Sequence, residues 1–566
     1  MSVKQWSANR AMWGQNFRQI GWIAIIHWLL WLVAIVLPMA LAYSQYEPKV
    51  GNIPQWDSVY DISNEMEALC AWLVPILAAA GVLRYMHEKR SADFIHSLPI
   101  LRTELLAGQM LLGWLFLAVP LVLTALIAMG CLRGLDLPWP IGAGDVGRWL
   151  GETLVVETVI FALGVMVGVL VGQSIVHIVL TNIALFFPTG IMVLLFSNMP
   201  LWLYGFPDGY YLSEKLMDWA LPIRYAMLTD QAMSAGEIGM LLLLSLLFFS
   251  LSIWLYERRP TEAAGQALAF TVLRPLFVYG VAFCMCLTGG FYFGQVGDGW
   301  GWTIFGYVAF SFVGYVIAQM VVMKTWRVFH KWKGYVAFAA AMTVLFLAVR
   351  LDPIGYVSRV PELADIEKVY FGQSVMNWQS PNMMEREFEA FDQFLHTKDN
   401  IKAVRALHAQ LVHDQPIPSR FGNIQPIVIG YVLKDGTRLI RRYQVPIEAY
   451  MPYFQRIMGS KEYKQQYYLL LRPGYSPIRQ VTIRNVETGR PVVVLADPKE
   501  IESFLEAIKQ DLWQKPVESL LGGQVWNGEI EFLQSDGDQF SLPIDQYSSH
   551  VRNWLEDRRL WEKIQK

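Results

Sequence analysis

Nine apolar runs of about sixteen residues or more fill most of the chain between Gly21 and Val349. They read as Gly21–Tyr43, Ala68–Leu83, Leu105–Leu132, Leu150–Gly172, Ser174–Asn198, Ile238–Tyr256, Thr271–Phe293, Trp302–Met323 and Gly334–Val349. A helix rises 1.5 Å per residue, so roughly 20 apolar residues cross the ~30 Å hydrocarbon core of a bilayer. Inside that core every backbone N–H and C=O needs an internal partner, which leaves helices or a closed barrel. Runs this long predict helices, and with them a polytopic α-helical membrane protein. A composition 54% hydrophobic and 14% aromatic, with 22 Trp, agrees. The ninth run is among the shortest and sits at the lower limit for spanning.

Charge is distributed very unevenly. Residues 351–566 hold 54 of the 94 Asp, Glu, Lys and Arg, one position in four, whereas the first 350 residues hold 40. The expected division is an interfacial amphipathic helix at 1–20, membrane helices over 21–256 and 257–350, and a soluble domain over 351–566. The formal net charge is −2 and no basic tract occurs, so nothing points to nucleic acid. Cys70, Cys131, Cys284 and Cys286 all lie in or beside apolar runs, which rules out a disulfide framework or a cysteine zinc site in the soluble part. No metal pattern is legible elsewhere: His408 and His413 lack a third ligand.

Orientation follows from Lys and Arg. With the N-terminus in the cytoplasm, cytoplasmic segments carry thirteen basic residues, among them Arg84, Lys89, Arg90, Arg102, Arg258, Arg259 and Lys331, against five in the outer loops. That bias predicts an N-terminus inside. Nine spans then place residues 351–566 outside the cell. Trp6, Trp13, Phe17 and Ile20, interleaved with Lys4, Arg10 and Arg18, suit a helix lying in the inner interface.

The most informative loop is Arg84–Leu106, RYMHEKRSADFIHSLPILRTELL. Phe94, Ile95, Leu98, Ile100 and Leu101 sit among its charges. Asp93 suits the start of a short helix and Pro99 its end. A short amphipathic helix at the membrane face is a docking surface for a soluble partner, although an ordinary charged loop with incidental apolar residues has the same composition.

Glu88, Arg90, Asp93, Phe94, Ser97, Leu98, Pro99 and Arg102 together resemble the coupling-helix loop of type-2 ABC exporter permeases. A second stretch, Tyr256–Phe270 (YERRPTEAAGQALAF), resembles the segment after helix 6 in the larger Ytr-type permeases of Firmicutes, which also carry extra helices and a C-terminal domain. The resemblance implies a six-helix permease core over 21–256 that pairs with a second permease subunit, identical or different. It also implies coupling through 84–104 to separate ATP-binding subunits, which would supply ATP and Mg while this chain binds no cofactor directly. In that family the region before helix 6 dips back into the outer leaflet, and the aromatic-rich 199–236 suits this. Export against uptake is open.

Other features carry less. Glu152 and Glu157 lie near the outer end of the fourth run; Glu152 can snorkel to the interface, whereas Glu157, about a turn and a half deeper, is a candidate for the translocation path, as an intramembrane carboxylate is by default. His27, in the first run, suits a satisfied interior histidine. Gly164, Gly168 and Gly172 form an i, i+4, i+8 stripe fit for close packing, within the chain or between two chains. Leu520–Gln524 (LLGGQ) resembles an ATPase signature but lacks its serine, and no phosphate loop precedes it. The chain is therefore expected to hydrolyse no ATP. In the soluble part, Lys434-Asp435-Gly436, Glu487-Thr488-Gly489 and Gln534–Asp538 each separate β-rich runs and predict three hairpins, with helices over 380–413, broken near Thr397–Asn400, and over 498–514. An α+β domain results. The rival reading is a membrane-anchored extracellular sensor or substrate-binding module that no ABC ATPase powers.

Overall fold

The computed structural model describes residues 14–566 except 15–16, 19, 45–55, 63, 135–138, 213–215, 217–219, 230, 298, 376–377, 379–392, 417–422, 486–489, 522–527 and 566. Trp6, Trp13 and the Gly522–Gln524 part of the LLGGQ run lie outside the described residues.

Nine helices among the described residues are long and apolar enough to cross a membrane: α1 (Trp22–Ser44), α2 (Glu65–Val82), α4 (Arg102–Gly134), α5 (Ala143–Leu170), α6 (Ser174–Trp202), α7 (Ala235–Arg258), α8 (Leu273–Val296), α9 (Trp300–Met323) and α10 (Phe329–Arg350). Between α2 and α4 stands the short helix α3 (Lys89–His96). Pro99 follows it closely, as expected, but the helix starts at Lys89 after Glu88, so Asp93 lies in its middle and not at its start.

The chain divides into two compact units. One comprises residues 1–198 and 212–342, the other 199–211 and 343–566. In the first unit α5 is the central, most buried helix, packed against α2, α4 and α7. Its core joins Trp31, Ile35, Trp149, Val156, Ile160 and Leu163. Helices α8 and α9 pack tightly because glycines face each other: a Cβ on Gly306 would stand 2.2 Å from the Gly289 carbonyl oxygen. Asn198 ties α6 to this pair, donating to Leu287 O at 3.0 Å and accepting from the Tyr307 hydroxyl at 2.8 Å.

The second unit is α+β. Its first sheet has the order β1-β2-β3, from β1 (Ile366–Gly372), β2 (Ile424–Leu433) and β3 (Arg438–Pro446). Its second has the order β5-β4-β6-β7, from β4 (Ile478–Arg484), β5 (Pro491–Leu495), β6 (Gly528–Gln534) and β7 (Gln539–Ile544). All pairs are antiparallel, and β2–β3, β4–β5 and β6–β7 are the three hairpins that the turn residues predict. Gly436 takes φ +82° and Asp435 accepts from the Thr437 N–H at 2.8 Å, which is why that tripeptide turns the chain. Helix α11 (Lys398–Asp414) buries Ile401, Val404, Leu407 and Leu411, and helix α13 (Pro498–Gln514) buries Ile501, Phe504 and Ile508. Helix α12 (Ile447–Met458) lies between them in sequence. One core runs through both sheets.

The segment 199–211 belongs to this second unit although it follows α6. The Arg442 N–H on the edge strand β3 donates to Gly205 O at 3.1 Å, and the Arg442 guanidinium pairs with Asp208 at 2.6 Å. Gly205 takes φ +81° and a Cβ there would strike the Tyr443 ring, so glycine is required by conformation and space alike.

Candidate functional site at the 84–106 loop

The 84–106 loop and the 256–270 segment follow α2 and α7 and meet beside the junction of α5 and α6. These two stretches, which carry the sequence resemblance, fold against each other there. Tyr256, the last buried residue of α7, anchors the contact. Its hydroxyl accepts from Tyr85 at 3.1 Å and donates to His96 Nε2 at 2.9 Å, while His96 Nδ1 donates to Ala92 O at 2.7 Å within α3. Those partners fix a neutral ring with its proton on Nδ1, and burial pushes the His96 pKa down.

Arg259 closes the assembly. It is 5% exposed, donates to Met86 O at 3.2 Å and Gly168 O at 3.3 Å, and also reaches the Met86 sulfur. Gly168 O accepts as well from His87 Nε2 at 3.0 Å. Burial, with the nearby guanidinium, lowers the His87 pKa to about 4, so the ring stays neutral beside the cation. Beyond Arg259 the chain runs back along the α5–α6 turn. Gly265 N donates to Gly172 O, Gly172 N to Gln266 O at 3.1 Å, and Ala269 N to Leu170 O at 2.8 Å, with an isolated bridge between Val171 and Leu268. Lys324, at the end of α9, bonds Gly265 O.

This inner face leaves a distinct outer one. Glu88, Arg90, Asp93, Phe94, Ser97 and Pro99 are exposed, as is Leu101; Leu98 is half-buried. Phe94 is 62% exposed. Arg102 is turned inward instead, donating to Arg259 O at 3.0 Å and Glu257 O at 3.5 Å, so it joins the two stretches rather than facing outward. The arrangement is a rigidly backed short helix with an apolar ring presented among charges.

The glycine stripe is consumed by packing within the chain. A Cβ on Gly164 would meet Ala79 of α2, one on Gly168 would meet Leu83 and His177, and one on Gly172 would lie 2.0 Å from Ala263 O. Glu157 is fully buried and bonds His27 Nε2 on α1 at 2.9 Å, with Trp31 Nε1 also reaching that nitrogen at 2.6 Å. Two further carboxylates are buried near it in the same unit. Glu152 accepts from Tyr60 at 2.7 Å and the Met233 N–H at 3.0 Å, and Glu67 accepts from Trp149 at 2.9 Å. Sequence reasoning placed Glu152 at the interface and did not single out Glu67, whose partners lie 82 and more residues away. No cluster of three metal-ligating side chains occurs among the described residues. No protein-family model, curated protein or solved structure matches the chain.

Proposed function

We propose that the chain is the membrane-spanning permease subunit of an ABC-type exporter, driven by separate ATP-binding subunits that dock on the 84–106 loop. The observation that carries this reading is the meeting of the two resemblance stretches, about 160 residues apart, in one hydrogen-bonded assembly that leaves Phe94 and Leu101 exposed at its surface. A soluble domain that must transmit force needs an apolar anchor on a helix that cannot swivel. Phe94 on α3, held through His96 and Tyr256, meets both demands. ATP and Mg belong to the docking subunits, and a second permease subunit, identical or different, completes the assembly.

Alternation of nine spans puts the ends of α6 and α10 on one face of the bilayer, and both helix ends belong to the unit that contains 343–566. The positive-inside count makes that face the outer one and the N-terminus cytoplasmic. The 84–106 loop and the 256–270 segment then share the cytoplasmic face.

Phe94→Asp tests the docking assignment. Phe94 is exposed, so the thermal midpoint of the purified chain should hold within about 2 °C. Burying the new carboxylate unpaired in a partner groove costs several kcal/mol, and co-purification of the proposed ATP-binding subunit should fall at least tenfold. Unchanged assembly and unchanged ATP turnover in that variant would refute the assignment.

A further inference from the structure

The second unit contains a buried arginine without a counter-ion. Arg441 on β3 is 3% exposed, and no carboxylate pairs with it among the described residues. Its guanidinium lies 3.8 Å over the Tyr356 ring and donates to Tyr356 O at 2.7 Å and Ile440 O at 2.9 Å, but its Nε–H has no acceptor. Two positions on, and so on the same face of β3, the Tyr443 hydroxyl is also buried and unpartnered. So are the hydroxyls of Tyr356 and Tyr204 and the Nε2 of His408. These groups belong to one cluster: the Tyr443 ring centroid lies 5.0 Å from that of Tyr204 and 5.8 Å from that of His408.

All five groups can donate. Among the described residues the Tyr431 hydroxyl has one hydrogen-bond partner, His408 Nδ1, at 3.1 Å. Placing the phenol proton in that bond leaves the ring proton on Nε2, an N–H with nothing to receive it. Folded proteins leave few buried polar groups unsatisfied, and a buried charge without a partner costs more than a neutral group. Water would satisfy the hydroxyls, but only an anion also neutralises Arg441. The surrounding charges allow one: Arg405 on α11 also acts on His408 and Tyr431, and the two carboxylates that act on the cluster are engaged elsewhere, Asp414 toward Tyr204 being bonded by Tyr450 at 2.9 Å and Asp352 toward Tyr356 accepting from the Tyr356 and Val357 N–H groups at 2.6 and 2.7 Å.

We propose that Arg441, His408, Tyr443, Tyr356 and Tyr204 form a binding site for a small oxyanion, a phosphate or a carboxylate. Tyr204 stands in the segment that leaves α6, and Gly205 beside it is bonded to β3. An anion held by Tyr204 and Tyr443 therefore fastens that segment to the edge of the sheet. The site is independent of whether an ATPase drives the chain.

The test uses the full chain in lipid nanodiscs, titrated with inorganic phosphate or acetate at constant ionic strength set with chloride. A saturable rise of about 5 °C in the thermal midpoint is expected with at least one of them, and the anion with the lower half-saturating concentration identifies the class. Arg441→Met should abolish the rise. Tyr443→Phe keeps the ring and removes one donor. It should weaken half-saturation about tenfold while leaving the anion-free midpoint equal or higher, because an unsatisfied hydroxyl is gone. No saturable rise with either anion, an unchanged response in Tyr443→Phe, or a lowered anion-free midpoint in that variant (the mark of a hydroxyl already satisfied by water) would each overturn the proposal.

Discussion

Replacing Arg259 by Met should loosen the joint that the 84–96 and 256–270 stretches form with the end of α5, while sparing the rest of the helices around it. The guanidinium makes two hydrogen bonds to main-chain carbonyls, at 3.2 and 3.3 Å, in a nearly dry setting. Bonds to a charged group contribute about 1.5–3 kcal/mol each, and lengths near the upper limit argue for the lower figure. The pair is then worth about 3 kcal/mol, with Met filling most of the vacated volume. At 1.4 kcal/mol per decade that is roughly a 150-fold increase in the population of the locally open joint. Amide hydrogen exchange of the chain in nanodiscs reads this directly, as faster exchange in peptides covering 84–96 and 259–269. Arg258→Met is the internal control. Arg258 is exposed, lies 4.1 Å over the Trp254 ring and, among the described residues, bonds within its own helix, so exchange there should change by less than about threefold. An Arg259→Met effect below about fivefold, or one spread evenly over all the spans, would refute the idea that this side chain is the tie.

Three further outcomes follow from the second unit. Lys515 and Asp545 form a buried ion pair at 2.7 Å; Lys515→Met should cost about 3–5 kcal/mol in urea unfolding, and adding Asp545→Leu should recover part of the loss, since the stranded charge is what costs most. His408 is held at a pKa of about 3 by burial and by Arg441 and Arg405. Unfolded chains protonate this ring near 6.5 while the folded one does not, so the stability it confers is complete above 6.5 and drains as pH falls toward 3, at up to about 1.4 kcal/mol per unit; His408→Phe should flatten the acid limb of an anion-free stability profile, and an unchanged limb would count against a neutral ring. Asp435 lies exposed in the β2–β3 turn, so an impermeant maleimide should label Asp435→Cys on intact cells, whereas labelling only after lysis would put this unit inside.

How much of this was readable in the sequence depends on how local the cause is. Spans are set by runs of consecutive apolar residues, and hairpins by tripeptides such as Lys434-Asp435-Gly436, so both can be placed from the chain alone. Strand β1 escaped because its partner β2 lies about 60 residues on and no turn joins them. Helix α12 was hidden by Pro452, which reads as a helix breaker. The short helix α3 was legible from its apolar residues and Pro99, but the inward role of Arg102 was not, because its acceptors are backbone carbonyls at 257 and 259. Likewise Glu157 was marked by its depth, yet nothing near it names His27, 130 residues earlier. The aromatics of 199–211 suit an interface by composition; Tyr204 and Phe206 instead stack on Tyr443 and Tyr356.

The bond between Arg442 and Asp208 joins residues 234 positions apart, and that separation governs how the chain can be made. At 5–20 residues per second the ribosome needs on the order of tens of seconds to deliver β3 after 199–211 has emerged. Throughout that interval the segment waits without its strand, and α7 to α10 must be synthesised before it is covered. The converse applies to truncation. A fragment starting at 351 would leave the outer edge of β3 open, with the Arg442 N–H facing solvent in place of Gly205 O, and an open edge strand recruits other strands. A fragment meant to remain monomeric should carry 199–211 fused ahead of 343, restoring the strap in cis.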